Sequence, residues 1–164
     1  MMGSVRLNQE KGEIVISGRR HLAIDMASLC KHIDLLVGPR VAEVIFNQYW
    51  FRLGRQDAAE AKREKATSGF KEIIHDLAAQ DQLSGLGVTK LKIPEDPNSP
   101  MELEISNPCV EASEGAGKAV LTSYWCGVLT FLLEREVTAT HLSFDQNVAR
   151  CRLEAKMPQP ILKA

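Results

Sequence analysis

Three side chains in the stretch SYWCGVLTFLLEREVTATHLSFDQNVARC (residues 123–151) are of types that do chemistry together. They are Cys126 in an apolar run, then His141, then Cys151 ten residues later. Such a set can ligate a metal or exchange electrons. A structural zinc needs four tetrahedral ligands, and a catalytic zinc needs three plus a water. Cys126 directly follows Trp125 inside an apolar helical stripe, where a free cysteine behaves as a small hydrophobe. Cys126 therefore reads as core. His141 and Cys151 could approach across a hairpin, with Cys109 joining from an upstream loop, and that trio is the minority metal reading.

Other catalytic signatures are missing. The chain has no GxSxG, no P-loop, no HExxH and no GxGxxG between a strand and a helix. SGLG (84–87) lacks the Gly-Lys that would follow in a phosphate-binding loop and reads as a turn. His21, His32 and His75 lie on or beside predicted helices without a titratable partner at ligand spacing. Arg19 and Arg20 make a small cationic patch at what the pattern predicts is a helix start. Cations there oppose the helix dipole, and the pair reads as surface.

Composition sets the frame for these residues. With 164 residues, 45% hydrophobic and 25% charged, the chain reads as one globular domain that buries roughly two-thirds of its unfolded surface. A net charge of -1 without a pole of either sign gives no nucleic-acid surface. Cys30, Cys109, Cys126 and Cys151 form no CxxC, and MMGSVRLNQEKGE is too polar for a signal peptide. Reduced thiols in a cytoplasmic protein are the expectation. The longest apolar run, 120–133, is too short for a membrane span and is expected to be a buried helix.

The elements follow from periodicity. Residues 4–17 read as a hairpin turning at Gly12. From Arg19, apolar steps of three and four through Leu22, Met26, Cys30, Ile33 and Leu36 predict a helix that Gly38-Pro39 ends. A second helix runs from Pro39 into the charged 57–65 segment, and a third spans about 69–82. Val88–Ile93 and Met101–Ile105 read as strands flanking the polar tip PEDPNSP. A long apolar helix over 118–134 precedes strands at 137–144 and 149–156. Helices and strands segregate, so the fold class is α+β with an antiparallel sheet packed by several helices. Residues 1–157 form the domain and 158–164 a tail. On the residues alone, the bulky aromatics among small Ala, Gly and Val make either a filled core or a cavity, and the filled core is the default.

Residues 123–155 also resemble the C-terminal signature of the 4-vinyl reductase domain family, Y-x-x-G-x-L-x-x-L-L-G-R-x-V followed by a strand ending C-R-[FL]. Tyr124, Gly127, Leu129, Leu132, Leu133, Arg135 and Val137 match the helix, and Cys151-Arg152-Leu153 the strand. The segment 17–54, with Gly38, is similar to the family's first two helices, and the likeness extends over roughly 17–156. It implies a fold shared with subunits of the TRAPP vesicle-tethering complex and a helix-mediated homodimer. It also implies a small-molecule site, for which Trp50, Phe70, Tyr124, Trp125 and Val128 are the candidate lining residues.

Where the family holds zinc, it uses a cysteine before the long helix, then a glutamate and two cysteines as E-x-x-C-x7-C. Here those places fall at Lys118, His141, Phe144 and Cys151. Only Cys151 is retained, so no cofactor is expected and zinc is the minority case.

The resulting expectation is a non-enzymatic binding module for a small apolar or aromatic molecule, acting as a sensor or accessory homodimer. No motif for a hydride source is present, which weighs against catalysis. With no DNA-binding or ATPase segment in these residues, output would pass through an unidentified protein partner. An accessory role in tetrapyrrole or bacteriochlorophyll metabolism, or a structural assembly subunit with a filled core, are the alternatives.

Overall fold

The computed structural model describes residues 5–8, 13–16, 19–21, 24–64, 69–96, 99–112 and 114–156, with only the backbone given up to residue 21. The chain opens with three short strands, β1 (Val5–Asn8), β2 (Glu13–Ile16) and β3 (Arg19–His21), paired antiparallel in that order. The hairpin is as expected, but Arg19–His21 is a third strand and not a helix start. The first helix, α1 (Met26–Val37), begins where Asp25 caps it. Asp25 accepts from the Ser28 backbone N–H at 3.1 Å and from the Ser28 hydroxyl at 2.7 Å. An Asp cap placed ahead of the apolar stripe is the stronger signal, because it satisfies donors that the first turn leaves open. Gly38, at φ +83°, ends the helix.

α2 (Pro39–Glu64) and α3 (Phe70–Leu83) follow, then β4 (Val88–Lys92) and β5 (Met101–Ser106). α4 (Gly115–Leu133) crosses to the final hairpin, β6 (Val137–Asp145) and β7 (Val148–Ala155). Gln146 and Asn147, both at positive φ, make its two-residue turn. The four strands form an antiparallel sheet in the order β4-β5-β7-β6, so the fold is α+β. Met101, Leu103 and Ile105 point inward with Ala149, Cys151 and Leu153 from β7. Their outward neighbours pair by charge, Lys92 with Glu102 and Arg150 with Glu104.

α4 is the centre of the molecule. Every residue from Gly115 to Leu129 except Lys118 is buried, with α1 and α2 packed on it and the sheet behind. By length and composition α4 could cross a membrane, but in the fold it is the core helix that the apolar run predicted.

It starts three residues earlier than the pattern predicts, because a residue far away in sequence caps it. Asp34, on α1, accepts the Ala116 N–H at 2.9 Å, placing an acidic group at the positive end of the helix dipole. Gly115, at φ +67°, must stay glycine, since a Cβ would lie 2.6 Å from the Asp34 carboxylate.

α2 and α4 touch through paired glycines. A Cβ on Gly54 would collide with the Tyr124 carbonyl oxygen, and one on Gly127 with the Phe51 carbonyl oxygen. Each helix backbone thus fills the notch left by the other's missing side chain. Lys118 fastens the same contact by an ion pair to Glu43 at 2.6 Å.

Candidate functional site

Among the described residues the acidic side chain buried in this core is Asp81, in the last turn of α3, at 4% exposure. α3 puts it there by spacing. Phe70, Ile73, Ile74, Leu77 and Asp81 follow steps of three and four, so the carboxylate ends an otherwise apolar stripe. Trp125 of α4 donates its indole N–H to Asp81 Oδ2 at 2.8 Å, and Thr89 of β4 donates its hydroxyl to the same oxygen at 3.1 Å. A burial of this kind disfavours the charged form and pushes the carboxyl up to about 7. The two donors oppose that rise and the nearby Asp57 carboxylate adds to it.

The neighbouring residue on α4 extends the network. Tyr124 donates its hydroxyl to Asp57 of α2 at 3.3 Å, and its ring meets Trp125 edge to face at 5.8 Å between centroids. Burial, with the Asp81 and Asp57 charges, raises the Tyr124 hydroxyl far above its usual range, so it stays a neutral donor. Trp50 stands two turns before Asp57 on the same face of α2. Its indole nitrogen is buried and finds no acceptor among the described residues. An unpaired buried donor is costly, about 1–3 kcal/mol, and calls for a partner.

The five predicted ligand residues therefore divide. Tyr124 and Trp125 join the Asp81 network, and Val128, one turn after Tyr124, is fully buried beside the α2 contact. Trp50 is half-buried with its donor unpaired. Phe70 is half-buried and shares Asp81's face, three turns away at the start of α3. Among the described residues two shallow surface grooves are found, one lined by Lys71, Glu72, His75 and Asp76, the other along α2 from Ile45 to Gln56. Neither touches any of the five. Asp81, Thr89 and Asp57 are site residues that sequence reasoning missed.

The alternative metal set does not come together. His141 pairs with Arg152 and faces solvent, whereas Cys151 pairs with Leu142 and faces the core, so the two lie on opposite faces of the sheet. Cys109 lies beside β4, its N–H bonded to the Leu86 carbonyl, and burial raises its thiol to about 11. Cys151 is likewise pushed up to about 11, and Cys126 to about 12, chiefly by burial. Such thiols stay protonated at neutral pH, and thiolate is the form that binds metal. Lys118 brings an ammonium close to Cys151, and Phe144 offers no donor. This donor set does not fit tetrahedral zinc. Among the described residues no three His, Cys, Asp or Glu side chains are grouped to hold a metal ion.

No protein-family model matches the sequence, and no curated protein does. Solved structures do match. The phenol-responsive sensory domain of the transcription activator PoxR, with phenol, superposes at a TM-score of 0.68 and 14% identity, over 92% of this chain and 84% of that one. The fold is shared. Trafficking protein particle complex subunit 3 from Naegleria fowleri, covalently bound to palmitic acid, matches at a TM-score of 0.54 and 10% identity, over 79% of this chain and 89% of that one. Both likenesses bear out the expected fold. At these identities they speak to architecture and leave the chemistry to the residues.

Proposed function

We propose that this protein is a non-enzymatic binding module for a small apolar or aromatic molecule, held among α2, α3 and α4 and acting as a cytoplasmic sensor or accessory homodimer. The observation that carries this reading is the buried Trp50 indole N–H, which has no acceptor among the described residues. A ligand oxygen would complete it. Asp81 offers a second polar group in the same core, because a carboxyl pushed up to about 7 can accept a hydrogen bond or donate one. The ligand class is then an apolar body with one hydroxyl or similar polar group, with apolar burial supplying most of the affinity. Fold-mates whose solved structures hold phenol and palmitic acid support that class. Binding requires the helices to part, since Trp125 and Val128 are tightly enclosed. The module works without zinc, and its occupied state passes to a protein partner.

Both tryptophans of the chain, Trp50 and Trp125, belong to the site, so indole fluorescence reports on it directly. Titration with phenol, a medium-chain fatty acid and a porphyrin should give a saturable change with at least one of them. A response to porphyrin alone would move the protein to tetrapyrrole metabolism. No saturable change with any of the three would reject the module. The enclosed packing of Trp125 and Val128 favours, in that case, a structural assembly subunit with a filled core.

A further inference from the structure

We propose that the first two turns of α3, residues 70–77, are the gate of the binding site: they unwind to admit a ligand and reclose over it, while the last turn stays pinned. This rests on the proposed function, whose enclosed core needs a way in. Trp125, at 1% exposure, lies clear of both surface grooves. The elements around it differ in what holds them. α2 is locked on α4 by backbone seated in the Gly54 and Gly127 notches, by the Lys118–Glu43 ion pair and by the Tyr124–Asp57 hydrogen bond. α1 is tied to the start of α4 by Asp34, and the four sheet strands are hydrogen-bonded to one another. The first half of α3 is held by apolar packing. Phe70, Ile73, Ile74 and Leu77 face the core, while Lys71, Glu72, His75 and Asp76 border a groove on the solvent side.

The two ends of α3 are built unequally. At the C-terminal end Asp81 binds Trp125 and Thr89, and the Leu86 N–H returns to the Asp81 carbonyl. Just beyond, Gly87 lies so close to β5 that a Cβ would strike Ile105. The N-terminal end starts at Gly69, an exposed glycine that makes no side-chain cap bond and has nothing within 4 Å of where its Cβ would be. α1 and α4 each begin under an aspartate, Asp25 and Asp34. A first turn without a cap leaves its amides to water and opens before the rest of the helix. Unwinding of residues 70–77 uncovers Ile73, Ile74 and Leu77 together. Asp81 shares their face and bonds Trp125, so the opening is on the Trp125 side of the core. Losing that burial makes the open state a minor one, which an entering apolar molecule selects.

Hydrogen exchange and stopped-flow indole fluorescence on the full chain test this. In the ligand-free protein, after correction for intrinsic rates, the amides of residues 74–77 should exchange about tenfold or more faster than those of 81–83. They should also outpace residues 30–33, which hold the same places in the capped helix α1. Gly69→Asp supplies the missing cap without strain, because φ there is -73° and the space is empty. It should slow exchange at 74–77 roughly threefold. With phenol as the probe, Gly69→Asp should lower the association and dissociation rates by that same factor and leave Kd unchanged, because the closed free and bound states gain alike. Exchange at 74–77 as slow as at 30–33, or slowed exchange with unchanged binding rates, would overturn the gate. Fast exchange that Gly69→Asp slows, with no fluorescence response to phenol, would uphold the opening of α3 and count against the binding reading.

Discussion

Trp125 donates its indole N–H to Asp81 at 2.8 Å, tying the middle of α4 to the last turn of α3 through a carboxyl sealed in the core. The burial of that carboxyl couples stability to pH. The folded carboxyl titrates near 7, against 3.8 when unfolded. Between those values the folded state holds the extra proton, so stability falls as pH rises through the window and stays low above it. Asp81→Asn keeps an acceptor for Trp125 and removes the charge. Its melting temperature should match the wild type near pH 4, exceed it at pH 8, and vary less between them. Parallel profiles for the two proteins would mean that Asp81 is ionised in the fold throughout.

Asp81→Leu separates the hydrogen bonds from the charge. It leaves the Trp125 and Thr89 donors without their acceptor, at about 1–3 kcal/mol each. Urea unfolding at pH 5 should show Asp81→Leu markedly less stable than Asp81→Asn. Equal midpoints would show that the network contributes little.

The glycine pair gives a packing prediction. Gly127→Ala forces a methyl group onto the Phe51 carbonyl, and Gly54→Ala onto that of Tyr124, with backbone on the receiving side in both cases. Each should cost about 1–3 kcal/mol or more, a fall of several degrees in melting temperature. Because the two share one contact, the double variant should depart from additivity. A thermal shift series checks both points.

Trp50→Phe tests the orphan donor. It deletes the unpaired N–H and keeps an aromatic ring, so relief of the buried donor offsets the lost volume. The ligand-free protein should keep its stability to within about 1 kcal/mol, while affinity for a hydroxyl-bearing ligand falls about tenfold, a hydrogen bond's worth. Loss of stability with unchanged affinity would make Trp50 a purely structural side chain.

Much of the fold was legible because apolar periodicity records it. The strict alternation of Met101–Ile105 and the long run ending at Leu133 mark a half-wet strand and a core helix, and both are found. Failures came where the deciding partner is distant or the pattern too short. Three residues, Arg19–His21, cannot show alternation. The start of α4 is set by Asp34, some eighty residues away. Asp81 sits among polar neighbours in AAQDQL and reads locally as a surface charge. Carrying the Phe70–Leu77 stripe one turn farther would have placed it inside. The buried nitrogen of Trp50, unpaired among the described residues, had no sequence signal, since its surroundings come from elements distant in sequence.

Native mass spectrometry of the freshly purified protein tests the central claim most directly. The account predicts a population carrying a small additional mass that is released on denaturation, enriched by adding a phenol-like ligand and depleted in Trp50→Phe. Bare protein throughout, before and after ligand addition, would contradict it.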